Sequence, residues 1–276
     1  MQKKWIVFLL SLSFLFFSCD NEEDPISENN ESESEAIFKD AMYMNAEINS
    51  HMGMGLSAFA GSGGRLAEND VFCGSLDFSF QPSFAIELDF GAGCAGADGK
   101  NRKGKIKFTT SGEFGEEGFS FILTYDGFSV DGNQLSGSVS SSGYLTNSEG
   151  NFEYTLTFTD MLLTLAEDSS TIAYSGSHTY EWVEGYGSED PATSVFKVTG
   201  SSSGITRKGI EYNSEITTPY MVKSACYGSG IFYPVSGQAS ITPVGAQAFT
   251  VDFGEGSCDK KVTIEAGALT YEVDLP

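Results

Sequence analysis

Alternation of apolar and polar residues with a period of two recurs from about residue 84 to the end of the chain. Phe84, Ile86 and Leu88 share one face of the first such segment, whereas Glu87 and Asp89 share the other. Successive side chains of a β-strand point to opposite faces, so this pattern predicts half-buried antiparallel strands. The same alternation recurs at residues 106–108, 119–125, 152–158, 210–216, 249–253 and 269–275.

Turn-forming residues separate these segments, as at Asp98-Gly99, Asp126-Gly127 and Asp131-Gly132. No intervening stretch is long and helical, which argues against parallel strands joined by helices. The fold class predicted is therefore all-β, a large antiparallel meander. A meander of about twelve or more strands is too wide to stay flat. We expect it either to curl into a barrel-like roll or to split into a sandwich, and the pattern leaves both open.

One short helix is predicted before the strands, over about residues 35–50. Apolar residues recur there at helical spacing, and we expect this stripe to pack on the sheet. A Gly-rich stretch from Gly53 to Gly64 is expected to end the helix. The apolar positions are Ala36, Ile37, Ala41, Met44 and Ile48.

The N-terminus has the pattern of an export signal. Lys3 and Lys4 precede a largely apolar run from Trp5 to Phe17, which is shorter than the roughly 20 residues that span a bilayer. The Ser18-Cys19 pair that follows resembles the lipobox of bacterial lipoproteins. That resemblance implies cleavage before Cys19 and a lipid on Cys19 that binds the membrane. The alternative is an ordinary signal peptide in which this cysteine is incidental.

An acidic segment follows Cys19. Residues 20–35 contain eight acidic residues and no basic one, a composition that predicts a disordered tether. Acidic residues at this place resemble the surface-export signal of Bacteroidota lipoproteins, whereas a solvated spacer is the alternative. We therefore expect an outer-membrane location at the cell surface. The expected divisions are a signal peptide, tether, helix with Gly-rich linker, and all-β domain, at residues 1–18, 19–35, 36–64 and 65–276.

The charge balance excludes two classes of partner. The formal net charge is −23, whereas a nucleic-acid-binding protein presents a basic face. The same charge excludes electrostatic adhesion to anionic lipid. The expected partners are the membrane, through the N-terminal lipid, and a glycan or an envelope protein.

Four cysteines remain after Cys19: Cys73, Cys94, Cys226 and Cys258. An even number in an exported protein predicts two disulfides, for which three pairings exist. A turn signal lies midway between Cys73 and Cys94, and another lies beside the midpoint of Cys226 and Cys258. A hairpin at each turn favours Cys73–Cys94 and Cys226–Cys258. A zinc site is the weaker alternative, because the chain has no CxxC pair.

Two segments of the chain are similar in sequence. Residues 89–94 begin Asp-Phe-Gly and end at Cys94, and residues 252–258 begin Asp-Phe-Gly and end at Cys258. Together with Cys19, the acidic segment and the run from Val198 to Pro219, they resemble uncharacterised Bacteroidota outer-membrane lipoproteins over most of the chain. The resemblance implies a lipid-anchored envelope protein and implies no activity.

Asp89 and Asp252 are candidates for a carboxylate pair or for calcium ligands. The simpler hypothesis, which we favour, is that each accepts hydrogen bonds from the Gly-rich turn that follows it. Calcium would be the preferred ion, because oxygen ligands are abundant, but the chain has no DxDxDG loop. We therefore expect neither a metal nor a cofactor.

An aromatic row is the one candidate ligand site. His178, Tyr180 and Trp182 share a strand face, and such a row can stack on a sugar, although it is more often a half-buried strand face. A Ser-His-Asp triad would need His51 or His178, neither of which has a recognised context, and no spacing selects a pair of hydrolytic carboxylates. We expect a non-enzymatic binding or structural role. The alternatives are a glycan-binding accessory protein and, less favoured, a carboxylate-dependent hydrolase.

Overall fold

The computed structural model describes residues 26–60, 73–79, 84–113, 116–188 and 190–275. These residues form one long helix, fifteen strands of a single sheet and two short 3₁₀ segments. The bounds are α1 (Ile26–Ala60), β1 (Ser75–Ser79), β2 (Phe84–Asp89), β3 (Cys94–Ala95), β4 (Asn101–Ser111), β5 (Ser120–Val130), β6 (Asn133–Ser141), β7 (Leu145–Thr146), β8 (Phe152–Thr164), β9 (Thr171–Glu184), β10 (Val195–Ile205), β11 (Glu211–Lys223), β12 (Ser236–Pro243), β13 (Phe249–Glu255), β14 (Lys261–Ala266) and β15 (Leu269–Asp274), with 3₁₀ segments at Pro191–Thr193 and Ser224–Ser229.

The sheet is an antiparallel meander in which strands that follow one another along the chain are neighbours. Its order is β1-β2-β4-β5-β6-β8-β9-β10-β11-β12-β13-β14-β15, with β3 paired to β4 and β7 paired to β8. The path does not close on itself, so β1 and β15 are its edges. The predicted all-β meander is confirmed, and the single sheet takes the rolled form rather than the sandwich.

The sheet curves around α1. The helix contacts β2 near one edge, β9 in the middle, and β14 and β15 at the other edge. No residue from 33 to 52 is exposed, and Ile37, Phe38, Met44 and Ile48 are at most 1 % exposed. The first part of the helix packs with the core of β10 to β15, and the later part packs with the core of β2 to β9.

The helix is longer than predicted at both ends. The described part of the predicted tether, residues 26–35, is helical rather than disordered, because glutamate is a good helix former and Glu35 pairs with Lys39 one turn on. The linker also begins later than predicted, because the helix continues through Gly53 and Gly55 to Ala60. Residues 19–25 and 61–64, the rest of those two predicted segments, lie outside the described residues.

Glycine bulges bend the sheet. Gly137 in β6 has a φ of 106° and Gly237 in β12 has a φ of 105°, and the register shifts at both positions. A Cβ atom would lie 2.6 Å from the Asp160 carbonyl oxygen at Gly137 and 2.4 Å from the Pro219 carbonyl oxygen at Gly237. Both positions therefore require glycine. Bulges increase the local bend and twist of a strand, so their recurrence explains how this sheet rolls.

Both predicted disulfides are confirmed. Cys73 and Cys94 have Cα atoms 5.8 Å apart, and Cys226 and Cys258 have Cα atoms 5.4 Å apart. The second pair spans the β12–β13 hairpin, which turns directly after Pro243, where the sequence placed a turn. The first disulfide fixes the segment just before β1, and the second fixes the loop between β13 and β14.

The fit of the helix inside the roll can be tested with two glycines on α1. Gly55 is buried, and a Cβ there would lie 1.9 Å from the Phe108 ring, whereas a Cβ at exposed Gly53 would meet nothing within 4 Å. We expect Gly55→Ala to lower the free energy of unfolding by about 1–3 kcal/mol through overpacking. Gly53→Ala is the matched control and should raise it by about 0.5–1 kcal/mol, because alanine favours the helix. Urea unfolding measures both, and stabilisation by both variants would contradict the packing of α1.

Candidate functional site

The connections of an up-and-down meander alternate between its two ends, so every second connection lies at the same end. The β6–β8, β9–β10 and β11–β12 connections share one end, where aromatic residues are concentrated. We call this cluster the aromatic end. It comprises Tyr144, Phe152, Tyr154, Tyr180, Trp182, Tyr186, Phe196, Tyr227 and Phe232.

Strand register builds the centre of the aromatic end. Tyr154 of β8 lies directly opposite Tyr180 of β9, and their rings stack at 5.4 Å with an angle of 6°. Trp182 lies opposite Phe152 on one side and Phe196 on the other, and its ring centre is 5.1 Å from that of Phe196. Aromatic pairs across antiparallel strands are favourable, so this part of the sheet is stabilised by its own side chains.

Two loop tyrosines form the outer part of the cluster. Tyr186 stacks on Phe152 at 4.3 Å, and Tyr227 stacks on Phe232 at 5.2 Å. Tyr186 remains 49 % exposed and Tyr227 remains 39 % exposed. The sequence pattern did not identify them, because they lie between strands and belong to no periodic row. Aromatic residues within polar connections would have been the signal to follow.

One buried polar atom of the aromatic end lacks a hydrogen-bond partner among the described residues. The Trp182 Nε1 atom is buried and has no hydrogen-bond partner in the described structure. Burial raises the pKa of the Tyr144 and Tyr227 hydroxyls to about 12 and also raises the pKa of Tyr154 and Tyr180. These phenols therefore stay neutral and can donate hydrogen bonds.

The three residues predicted to stack on a ligand have different environments. Tyr180 has one ring face against Tyr154 and contacts Phe196 edge-on, so it is not an open platform. His178 is only 9 % exposed, packs edge-on against Phe158, and has its pKa lowered by burial to about 4. Trp182 is half-buried beside exposed Tyr186. Of the three residues predicted to stack on a ligand, Trp182 is therefore the one that contacts a solvent-exposed ring, that of Tyr186.

Acidic side chains of α1 are paired with cations of the sheet. The Asp40 carboxylate accepts hydrogen bonds from the Arg207 Nε atom at 2.7 Å and from the Arg207 backbone N–H at 2.9 Å. The Glu47 carboxylate accepts a hydrogen bond from the Lys100 Nζ atom at 2.8 Å. Each carboxylate is buried while its cation is partly exposed, and leaving a buried carboxylate without its partner is costly, so these contacts hold the helix at a fixed position in the roll.

His51 lies inside the roll, where its ring centre is 4.8 Å from that of Phe128. Its Nδ1 atom is 3.3 Å from the Tyr125 hydroxyl, and its Nε2 atom is 3.7 Å from a Glu47 carboxylate oxygen. Burial lowers the pKa of His51 to about 3, and the positive charges of Arg102 and Lys100 act in the same direction. The imidazole is therefore uncharged at neutral pH.

Asp89 and Asp252 act as turn residues, as the simpler hypothesis predicted. The Gly91 backbone N–H donates to Asp89 Oδ1 at 2.7 Å, and the Gly254 backbone N–H donates to Asp252 Oδ1 at the same distance. The two aspartates thus make equivalent contacts, Asp89 at the end of β2 and Asp252 within β13.

The Asp89 carboxylate also lies within 4.8 Å of those of Asp77 and Glu87. The Lys105 ammonium contacts Glu87 at 2.5 Å and Asp89 at 3.1 Å. The negative charge of these carboxylates is therefore already balanced in part by a lysine.

No protein-family model, curated protein or solved structure matches this chain. Among the described residues, no helix combines the length and the hydropathy required to cross a bilayer.

The two histidines predict a pH dependence of stability. The pKa of His51 is about 3 in the folded protein and about 6.5 when unfolded, so only the unfolded state takes up a proton between these values. Stability is fully present above pH 6.5 and falls as the pH decreases, by about 2 kcal/mol between pH 8 and pH 5. The pKa of His178 is also lowered by burial, so this residue changes stability with pH in the same direction.

Urea unfolding of the wild type and His51→Gln at pH 8 and pH 5 measures this effect. The variant should lose less stability on acidification, because its residue 51 does not titrate. His178→Gln is the matched control for the second histidine. An equal pH dependence in wild type and His51→Gln would contradict the burial of a neutral imidazole.

Proposed function

We propose that the protein is a lipid-anchored cell-envelope protein with a non-enzymatic binding or structural role, attached to the outer membrane through Cys19. The observation that carries the proposal is the pairing of the other four cysteines in two disulfides. Disulfides persist in oxidising compartments, which is consistent with export. The remaining cysteine, Cys19, directly follows the apolar segment and Ser18.

The N-terminal sequence supports attachment at the outer surface. Residues 1–25 lie outside the described structure, and the argument for them is the chemistry of the sequence. Acyl chains contribute about 0.8 kcal/mol per buried CH₂ group, so a cysteine that carries more than one chain anchors a protein firmly. Acidic residues begin directly after Cys19, in agreement with the proposed export to the cell surface.

The environment of the charged groups favours binding over catalysis. A carboxylate that acts as a general acid needs a raised pKa. Hydrogen bonds from Asn151, Lys197 and Asn147 instead lower the pKa of Glu181 to about 2. Asp40 and Glu47 are similarly paired with Arg207 and Lys100. These paired carboxylates give no support to the alternative of a carboxylate-dependent hydrolase.

Lipid attachment can be tested in Gram-negative cells supplied with labelled palmitate. The wild-type protein should take up the label and remain in the membrane fraction, because the lipid on Cys19 holds it there. Cys19→Ser should lose the label and leave the membrane fraction. The double variant Cys226→Ser/Cys258→Ser is the matched control and should remain labelled, because it retains Cys19. Label on Cys19→Ser, or none on the wild type, would contradict the anchor.

The same cells test the surface location when they are treated with an external protease. Digestion of the labelled protein while a periplasmic protein stays intact is the expected result. Protection of the labelled protein would contradict the surface location but would not contradict the lipid anchor.

A further inference from the structure

We infer that the aromatic end binds a neutral carbohydrate chain. This inference names a ligand class for the binding role proposed above and rests on that proposal. It also relocates the predicted contact from the row of His178, Tyr180 and Trp182 to Trp182 together with Tyr186 and Tyr227, which lie in connections between strands.

The exposed rings provide the surface on which a sugar would lie. Tyr186 and Tyr227 are each held on one side by stacking, against Phe152 and Phe232 respectively. Each nevertheless keeps more than a third of its surface exposed. A ring held in this way loses little conformational freedom on binding, and the apolar C–H faces of sugars pack on such rings.

Trp182 provides a hydrogen-bond donor that the described residues do not use. The buried Trp182 Nε1 atom lacks a partner among the described residues, and the Trp182 ring centre is 5.1 Å from that of Tyr186, which is 49 % exposed. Tyr227 lies in the connection that follows β11, at the same end of the roll as Trp182. A buried N–H without a hydrogen-bond partner is unfavourable. A ligand hydroxyl that accepts a hydrogen bond from Trp182 Nε1 removes this cost, which favours binding.

The local electrostatics select a neutral ligand. The groups that act on the Tyr154 and Tyr180 hydroxyls, within the described residues, are other tyrosines and no charged side chain. Glu181 lies between Tyr180 and Trp182 in sequence, so its side chain points to the opposite face of β9, where it is paired with Lys197. The net charge of −23 also opposes the approach of an anionic glycan.

Tryptophan fluorescence gives a readout confined to this site. The chain has two tryptophans, Trp5 and Trp182, so Trp5→Phe leaves Trp182 as the single emitter whether or not residues 1–18 are removed. This protein, purified in detergent, would be screened on an array of neutral and acidic glycans. It would then be titrated with each neutral oligosaccharide retained on the array, and with polygalacturonate as the acidic probe.

The expected result is retention of at least one neutral glycan and a saturable change in Trp182 emission. Tyr186→Ala and Tyr227→Ala should each weaken binding by about tenfold or more. Phe78→Ala is the matched control, because it removes a ring that is 38 % exposed on β1, outside the aromatic end, and it should bind normally. Circular dichroism confirms that the variants are folded.

Three outcomes would overturn the inference: retention of no glycan, retention of acidic glycans alone, or unchanged affinity in both tyrosine variants. None of these results alters palmitate labelling or protease sensitivity, so failure here is distinguishable from failure of the lipid-anchored envelope role.

Discussion

A sheet of fifteen strands with an apolar face cannot remain flat, and the burial of α1 against that face is the constraint on which this structure depends. The helix contacts both edge regions and the middle of the sheet, so it joins two apolar clusters that are otherwise far apart along the chain. Glycine bulges such as those at Gly137 and Gly237 allow the strands to bend around it. Gly55 allows the helix to lie against the Phe108 ring.

Burial of α1 also determines where polar groups can be placed. Asp40 and Glu47 are inside the roll and are compensated by Arg207 and Lys100, which come from connections between strands. These pairs lie at the end opposite the aromatic end. These polar contacts of the helix therefore lie at one end of the roll, while the buried Trp182 N–H, which has no hydrogen-bond partner among the described residues, lies at the other.

Much of the fold follows from local patterns. Strand alternation, turn residues and the symmetric positions of Cys226 and Cys258 about a turn are local, and they predicted the meander and both disulfides correctly. The length of α1 depends on tertiary contacts: Gly53 and Gly55 are poor helix residues, and enclosure by the sheet outweighs their propensity. The aromatic end was predicted in part. Tyr180 and Trp182 belong to a periodic strand, whereas Tyr186 and Tyr227 lie in the connections that follow β9 and β11 and belong to no periodic row.

Native-state hydrogen exchange of backbone amides tests the central claim, that α1 is enclosed by the sheet, most directly. Amides of residues 37–52 should exchange only through global unfolding, with the same opening free energy as those of the central strands β8 and β9, because an enclosed helix cannot open while the sheet stays folded. Exchange of these helix amides at a much lower opening free energy than the strand amides would contradict the account, since it would mean that α1 leaves an intact sheet.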